Sequence, residues 1–224
     1  MVETKTSKRR QLTDVLLEFL EVVVHEFLYQ WRVYPQEAFT KRVMYDVPVH
    51  MNRHPQLCEY VHSMLVGCRE WIHDGVLEKL CIAVLAANGK IINTLVVETS
   101  WTASLLQDRS AALGRQEDDE PLPLRAIEDH FRSTLVGVTA TPVVYASNRE
   151  SKHAPASFRL LAHTSEDSSR PETAVNGQAP ANSWVLADPF WYKRGEGKTE
   201  HELLPVKSVR DDQFPFRLHV YLER

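Results

Sequence analysis

Between Trp184 and Leu222 the chain carries more bulky apolar side chains than a loose segment would keep in water. Trp184-Val185-Leu186-Ala187-Asp188 is followed by a polar, glycine-containing stretch to Glu202, and then by two β-like runs, Leu203 to Val209 and Phe216 to Leu222. Segments near a terminus stay ordered when they are docked, and a large exposed apolar surface favours association. The segment is therefore predicted to be built into the fold. A segment that docks last is also able to wrap a ligand.

The 224 residues, 43% hydrophobic and 25% charged, suit one globular domain with a sizeable core. A net charge of −4 and a pI near 6.2 argue against direct grip on nucleic acid, which depends on neutralising phosphates, so any link to DNA is expected to run through a partner. Cys58, Cys68 and Cys81 are odd in number and widely spaced, which points to a reducing compartment and not to a disulfide framework. No apolar run of a signal peptide precedes Leu12. The apolar region from Val15 to Val33 is interrupted by Glu18, Glu21, His25 and Glu26, which excludes a membrane span there. Residues 1–12 are expected to form a flexible basic tail, in which Lys8-Arg9-Arg10 is compatible with a solvated segment or with part of a nuclear address.

The first helix is expected to open at Thr13 or Asp14, either a competent N-cap, and to run to about Val33, before Pro35. Asp14, Glu18, Glu21 and His25 fall on one narrow stripe, read as a solvated face, while the rest of the helix is apolar and predicted to be buried. Val43 to Met51, which contains Pro48, reads as an edge strand or extended connector. A second helix is expected near His54 with Pro55 in its first turn, a repeat of apolar residues from Leu57 to Ile72, and a stop at Asp74-Gly75. Leu77 to Leu85 and Ile91 to Glu98 flank Asn88-Gly89, the signature of a hairpin. Gln107 to Glu120 is polar and acidic and reads as a loop. A third helix is expected from Pro121 or Pro123 to about Val136, with Leu124, Ile127, Phe131 and Leu135 on its buried face. Val143 to Ala146 and Phe158 to Thr164 are candidate strands, and 165–183 has the composition of a mobile insertion. The plan is α+β: helices packed on a mostly antiparallel sheet.

Sequence offers no positive sign of an enzyme or of a resident cofactor. The chain has no Gly-rich phosphate loop and no G-x-S-x-G elbow. Cys58 and His62, four apart on a helix, fall short of the ligand set of a structural metal site. His50 and His54 have no carboxylate at a recognisable spacing. Neither a catalytic residue nor a metal ligand is assigned.

Five segments carry a family resemblance. They are Phe19-Leu20-Glu21-Val22-Val23-Val24-His25, Val33-Tyr34-Pro35, Tyr45-Asp46-Val47-Pro48-Val49, His54-Pro55-Gln56-Leu57-Cys58-Glu59-Tyr60 and Trp184-Val185-Leu186-Ala187-Asp188. With Leu203-Leu204-Pro205-Val206-Lys207 and Leu218-His219-Val220-Tyr221 they resemble the HORMA domain over roughly residues 13 to 224. The resemblance is greatest to the branch that serves as accessory subunit of translesion DNA polymerase zeta, related to the spindle-checkpoint mitotic arrest-deficient protein. It implies a three-helix layer on a sheet and a C-terminal safety belt, about 184–224, that closes over a partner peptide. In this branch the ligand is a Pro-containing peptide of the polymerase catalytic subunit, a nuclear role in DNA synthesis past lesions is implied, and the physical logic is β-augmentation.

Tyr60 and Trp184 match the family's peptide-site aromatics, although large aromatics serve equally in cores and as interface anchors. Leu203, His219 and Tyr221 match the surface that engages the C-terminal domain of the scaffold translesion polymerase; the family usually has Gln where this chain has His219. Lys41 and Arg132 match positions of HORMA self-association, as a homodimer or heterodimer. The sequence thus points to a noncatalytic adaptor that bridges the catalytic subunit to a scaffold polymerase, with no direct contact to nucleic acid or membrane. The alternatives are a HORMA adaptor in checkpoint signalling or double-strand-break repair, and a small hydrolase built on Cys58, His62 and an acidic residue.

Overall fold

The computed structural model describes residues 2–102, 122–146, 154–165, 184, 202–209 and 215–223. Helix α1 (Val2–Gln30) is the central element. It begins well before the expected cap at Thr13, whose hydroxyl donates to the Arg9 carbonyl at 2.8 Å from within the helix. Residues 2–12, read from sequence as a flexible tail, are therefore helical. Lys, Arg, Gln and Leu are good helix formers, and Leu12 is fully buried, which anchors the added turns. The helix ends at Gln30, short of the expected Val33. Arg32 takes a left-handed φ of 51°. The Val33 N–H reaches Leu28 O at 3.1 Å and the Arg32 N–H reaches Tyr29 O at 3.0 Å, a Schellman closure made without glycine.

The polar stripe of α1 divides along its length. Asp14 and Glu18 are exposed, but His25 and the adjacent Glu26 are buried, so the stripe is not one solvated face. Burial holds the His25 imidazole below its ordinary value despite the nearby Glu21 carboxylate. Glu26 accepts the His50 backbone N–H at 2.6 Å and the Gln30 side-chain amide at 2.6 Å. A buried carboxylate without such donors would be costly.

His50 belongs to a hairpin where sequence indicated an edge strand or connector over 43–51. Strands β1 (Phe39–Met44) and β2 (Val47–Asn52) pair antiparallel as a two-stranded sheet. Tyr45 and Asp46 form its turn with φ of 50° and 58°. Two consecutive positive φ values match a type I′ turn, whose usual signal is Asn-Gly. Here tertiary contacts impose the conformation. Tyr45 packs edge-on against Phe19 and Phe131, with ring centroids at 6.2 and 5.3 Å, and the Arg132 side chain donates from Nε to Tyr45 O at 3.0 Å.

Helix α2 (Pro55–Gly67) opens with Pro in its first turn, as expected. The apolar repeat is not one helix, however, because it breaks at Cys68 and resumes as α3 (Arg69–His73). The stop at Gly75 is as expected, with φ of 74°. Strands β3 (Leu77–Ala86) and β4 (Ile91–Trp101) form the expected hairpin, with Gly89 at φ 77° in the turn.

Helix α4 (Leu124–Ala146) is longer than its sequence signal. It absorbs Val143 to Ala146, which were expected as a strand: the buried face set by Ile127, Phe131 and Leu135 continues through Val138 and Thr141, and this outweighs the β propensity of two valines. Strands β5 (Pro155–Thr164), β6 (Leu203–Val209) and β7 (Phe216–Glu223) complete an antiparallel sheet of order β5-β3-β4-β7-β6. The expected loop at 107–120 lies outside the described residues, as does the expected insertion at 165–183 apart from Ser165.

The core lies between the sheet and the helices. Leu218, Val220 and Leu222 of β7 and Leu95 and Val97 of β4 face it, together with Phe19, Phe27 and Phe131. Phe131 stacks on Phe19 at 3.9 Å, and on Phe216 at 6.0 Å, joining α4, α1 and the sheet. Phe131→Ala is expected to cost about 3–5 kcal/mol, measured by urea unfolding. A loss well under that range would show that the neighbours collapse into the space.

Candidate functional site: two edges of one sheet

Sequence places the candidate residues on separate elements, and the fold sorts them to opposite margins of the five-stranded sheet. Strand β5 is one margin: β3 pairs with it on one side, and no described strand pairs with it on the other. Helix α2 reaches it through an aromatic contact. Tyr60 of α2, 36% exposed, meets Phe158 of β5 edge-on at 5.9 Å, and Tyr34 meets the same ring at 6.2 Å. Burial pushes the phenol of Tyr60 above its ordinary value, the neighbouring Tyr34 adding to the effect. Tyr60 is thus a neutral aromatic wall beside a strand edge.

Trp184 lies further along the same helix. Its indole N–H donates to Met64 O at 3.1 Å, and its ring meets Trp71 of α3 at 6.0 Å. Tyr60 and Trp184 therefore both line α2, one by a direct contact with β5 and the other at the junction of α2 with α3. Sequence reasoning missed Phe158 as a site residue, since it was legible only as part of a strand. A ring on one strand becomes a site when a distant helix faces it.

Strand β6 is the opposite margin, pairing only with β7 among the described strands. It carries Pro205 and a register shift between Pro205 and Lys207, both features of edge strands. Leu203 opposes Glu223 and Pro205 opposes Tyr221. Side chains alternate along strands, so Leu203, His219 and Tyr221 share the face turned away from the helices. Leu203 is 58% exposed there.

A polar network organises this face. The Tyr221 hydroxyl donates to Glu98 Oε1 at 2.8 Å, Lys79 Nζ lies 2.9 Å from the same oxygen, and His219 Nδ1 lies 3.3 Å from Glu98 Oε2. Burial opposes ionisation of Glu98, but the hydrogen bonds from Lys79 and Tyr221 outweigh it and hold the carboxyl below its ordinary value. Burial and the hydrogen bond to Glu98 push the Tyr221 phenol up to about 12. The same carboxylate holds the Lys79 ammonium above its usual range. Glu98 is the hub that sequence reading did not identify, because its partners come from β3 and β7.

Lys41 is exposed on β1. Arg132 of α4 reaches the hairpin turn, with NH2 at 2.5 Å from Asp46 and NH1 at 2.7 Å from Asp129. Its guanidinium therefore braces the turn that follows Lys41. The Cys58, His62 and acid set of the hydrolase alternative is organised differently. His62 Nδ1 meets Glu21 at 3.0 Å, while the Cys58 thiol donates to Asn52 O at 3.0 Å. Burial, with Glu21 adding to it, pushes that thiol up, opposite to the activation a nucleophile needs. Glu70, His73 and Asp74 bring ligand-type atoms within 4.8 Å of one another, but His73 Nδ1 is already bonded to Asp74 at 2.9 Å. No helix among the described residues is long and apolar enough to cross a membrane.

A helix layer over an antiparallel sheet, closed at one margin by two C-terminal strands, is the architecture of the HORMA domain. Solved structures share it: a chain of the mitotic checkpoint complex superposes with a TM-score of 0.67 at 15% identity, covering 95% of this chain and 98% of that one. HTP-2 of C. elegans, solved bound to the HIM-3 closure motif, superposes at 0.62 and 11% identity, covering 96% and 90%. No family model matches the sequence. The chain is 29% identical over 211 residues to the mitotic spindle assembly checkpoint protein MAD2B of Danio rerio, covering 93% of this chain and 90% of the relative. Against MAD2B of Homo sapiens it is 28% identical with the same coverage. A shorter match, 34% identical over 76 residues, 34% of this chain and 36% of the relative, is to the DNA polymerase zeta processivity subunit of Schizosaccharomyces pombe. The chain has the fold of HORMA-domain proteins and is similar over most of its length to MAD2B and over a shorter segment to a polymerase zeta subunit.

The Glu98 network carries a sign. A carboxyl held below its ordinary 4.5 stabilises the fold above that pH, and the contribution is lost as pH falls through its folded value. Glu98→Gln is expected to lower stability at neutral pH by less than about 1 kcal/mol, given its partial exposure. The gap to wild type should close on acidification, as read by chemical denaturation. A gap independent of pH would show that the loss is packing alone.

Proposed function

We propose that this protein is the noncatalytic accessory subunit of a translesion polymerase zeta, acting in the nucleus. It captures a Pro-containing peptide of the catalytic subunit and bridges it to the C-terminal domain of a scaffold polymerase. The observation that supports the reading is the β5 edge, which pairs with no second described strand, with Tyr60 against it and Trp184 seated further along α2. An extended peptide laid along this ten-residue strand would pair its backbone with the edge, a run of about 33 Å at ~3.3 Å per residue. The rings of Tyr60 and Trp184 would contact its prolines. The C-terminal segment from Trp184 to β7 acts as the safety belt, and escape of the peptide then requires that segment to leave, which slows dissociation.

The opposite face, with Leu203, His219 and Tyr221, is the second docking surface. The apolar Leu203 supplies an anchor and the Glu98 network a polar rim. Lys41 and Arg132 form the self-association region, in which the hairpin braced by Arg132 meets a second HORMA domain. Similarity to a DNA polymerase zeta processivity subunit supports a polymerase partner, and the checkpoint name of MAD2B makes a checkpoint ligand the second reading.

Isothermal titration with the Pro-containing peptide of the catalytic subunit from the same organism is expected to give submicromolar binding, about −8 kcal/mol or better. Trp184→Ala should weaken it by at least about tenfold, whereas Leu203→Ala should leave it unchanged and instead impair binding of the scaffold domain. No peptide binding by a folded, monodisperse chain would defeat the polymerase assignment. Binding of a checkpoint peptide in its place would move the protein to another HORMA role.

A further inference from the structure

The break between α2 and α3 leaves one backbone carbonyl without its usual donor. Cys68 N–H, the regular partner of Met64 O four residues back, turns instead to Leu65 O at 2.9 Å. The indole N–H of Trp184 takes up the Met64 carbonyl at 3.1 Å. An orphan carbonyl at a helix end needs such a partner, and here it comes from 120 residues away in sequence.

Gly67, the last residue of α2, lies directly beneath this contact. A Cβ there would stand 3.0 Å from Trp184 Nε1 and 3.1 Å from Cδ1. Its backbone is helical, without the left-handed φ that calls for glycine at Gly75 and Gly89. Glycine is also a poor helix former. Neither backbone conformation nor propensity accounts for the missing side chain, but the close indole does. The ring of Trp71 lies 6.0 Å from that of Trp184, tilted against it.

We propose that Gly67 is a positioning residue for peptide capture: with the Met64 carbonyl it forms the seat that holds Trp184 on α2, and occupancy of this seat sets how long a peptide stays at the β5 edge. The dwell-time part rests on the adaptor reading above, whereas the seat does not. Trp184 contributes to binding through the hydrogen bond of its N–H as well as through its ring. The specificity lies in Gly67, since a methyl group at that position, 3.0 Å from Nε1, makes the indole give way and strains its bond to Met64.

The test uses the full chain as wild type, Gly67→Ala, Trp184→Phe and the double variant. Phe keeps a ring but has no N–H, and its spectrum assigns the Trp184 indole resonance. In the free protein, Gly67→Ala is expected to keep or raise the melting temperature, because Ala favours the helix, while cutting protection of the Trp184 indole N–H from solvent exchange by about tenfold or more. With the catalytic-subunit peptide, each single variant should speed dissociation by about tenfold, and the double variant no further than the faster single one. Unchanged indole protection in Gly67→Ala would overturn the seat whether or not any peptide binds. A released indole with unchanged peptide dissociation would overturn the dwell-time claim. A wild-type chain that binds no Pro-containing peptide would defeat the adaptor reading and the dwell-time claim with it, leaving the indole measurement to decide the seat.

Discussion

The stack of Phe131 on Phe19 ties together the parts on which both candidate surfaces depend. Phe19 is on the buried helix α1 and Phe131 on α4, and the pair is extended by Phe216 at the start of β7 and by Tyr45 in the hairpin turn. Four elements distant in sequence thus meet in one aromatic cluster. Aromatic rings bury large areas in fixed relative orientations, so the cluster sets where the sheet lies on the helices. It also fixes the hairpin, whose left-handed turn is disfavoured for a bulky residue such as Tyr45 in isolation.

Two different solutions stabilise the margins of the sheet. At β6 the edge is blunted by a proline and a register shift, and the adjacent open face is laced by the Glu98 network. At β5 the ring of Tyr60 from α2 meets Phe158 instead, and Trp184 seats further along the same helix. The first arrangement discourages strand addition and leaves side chains to make contact. The second sets aromatic surface beside a strand that pairs with only one other described strand, the combination that recognition by an extended peptide uses.

The elements legible in sequence were those with strong local signals. The Pro55 helix start, the Gly75 stop, the Asn88-Gly89 hairpin and the strands containing Phe158, Leu203 and Phe216 all carry short-range chemistry that acts without help from the rest of the chain. Three readings failed where contacts over long range prevailed. Arg32 closes α1 in a conformation usually given to glycine, Tyr45 and Asp46 turn a hairpin that lacks its usual residues, and Val143 to Ala146 stay helical despite a β preference. His25 and Glu26 illustrate the same limit. Their spacing on the helix was readable, but their burial depends on the hairpin that covers them.

Sequence alone determined that this chain forms helices on an antiparallel sheet, that the runs beginning at Leu203 and Phe216 are strands, and which aromatic residues resemble those of HORMA peptide sites. The tertiary structure decided which of them meet. Tyr60 faces Phe158 from another element, Glu98 gathers Lys79 from β3 and His219 and Tyr221 from β7, and Trp184 satisfies a carbonyl freed by a helix break. The physical reason is that propensity and periodicity act over a few residues, whereas hydrogen-bond satisfaction and close packing are conditions on whatever atoms the fold brings together.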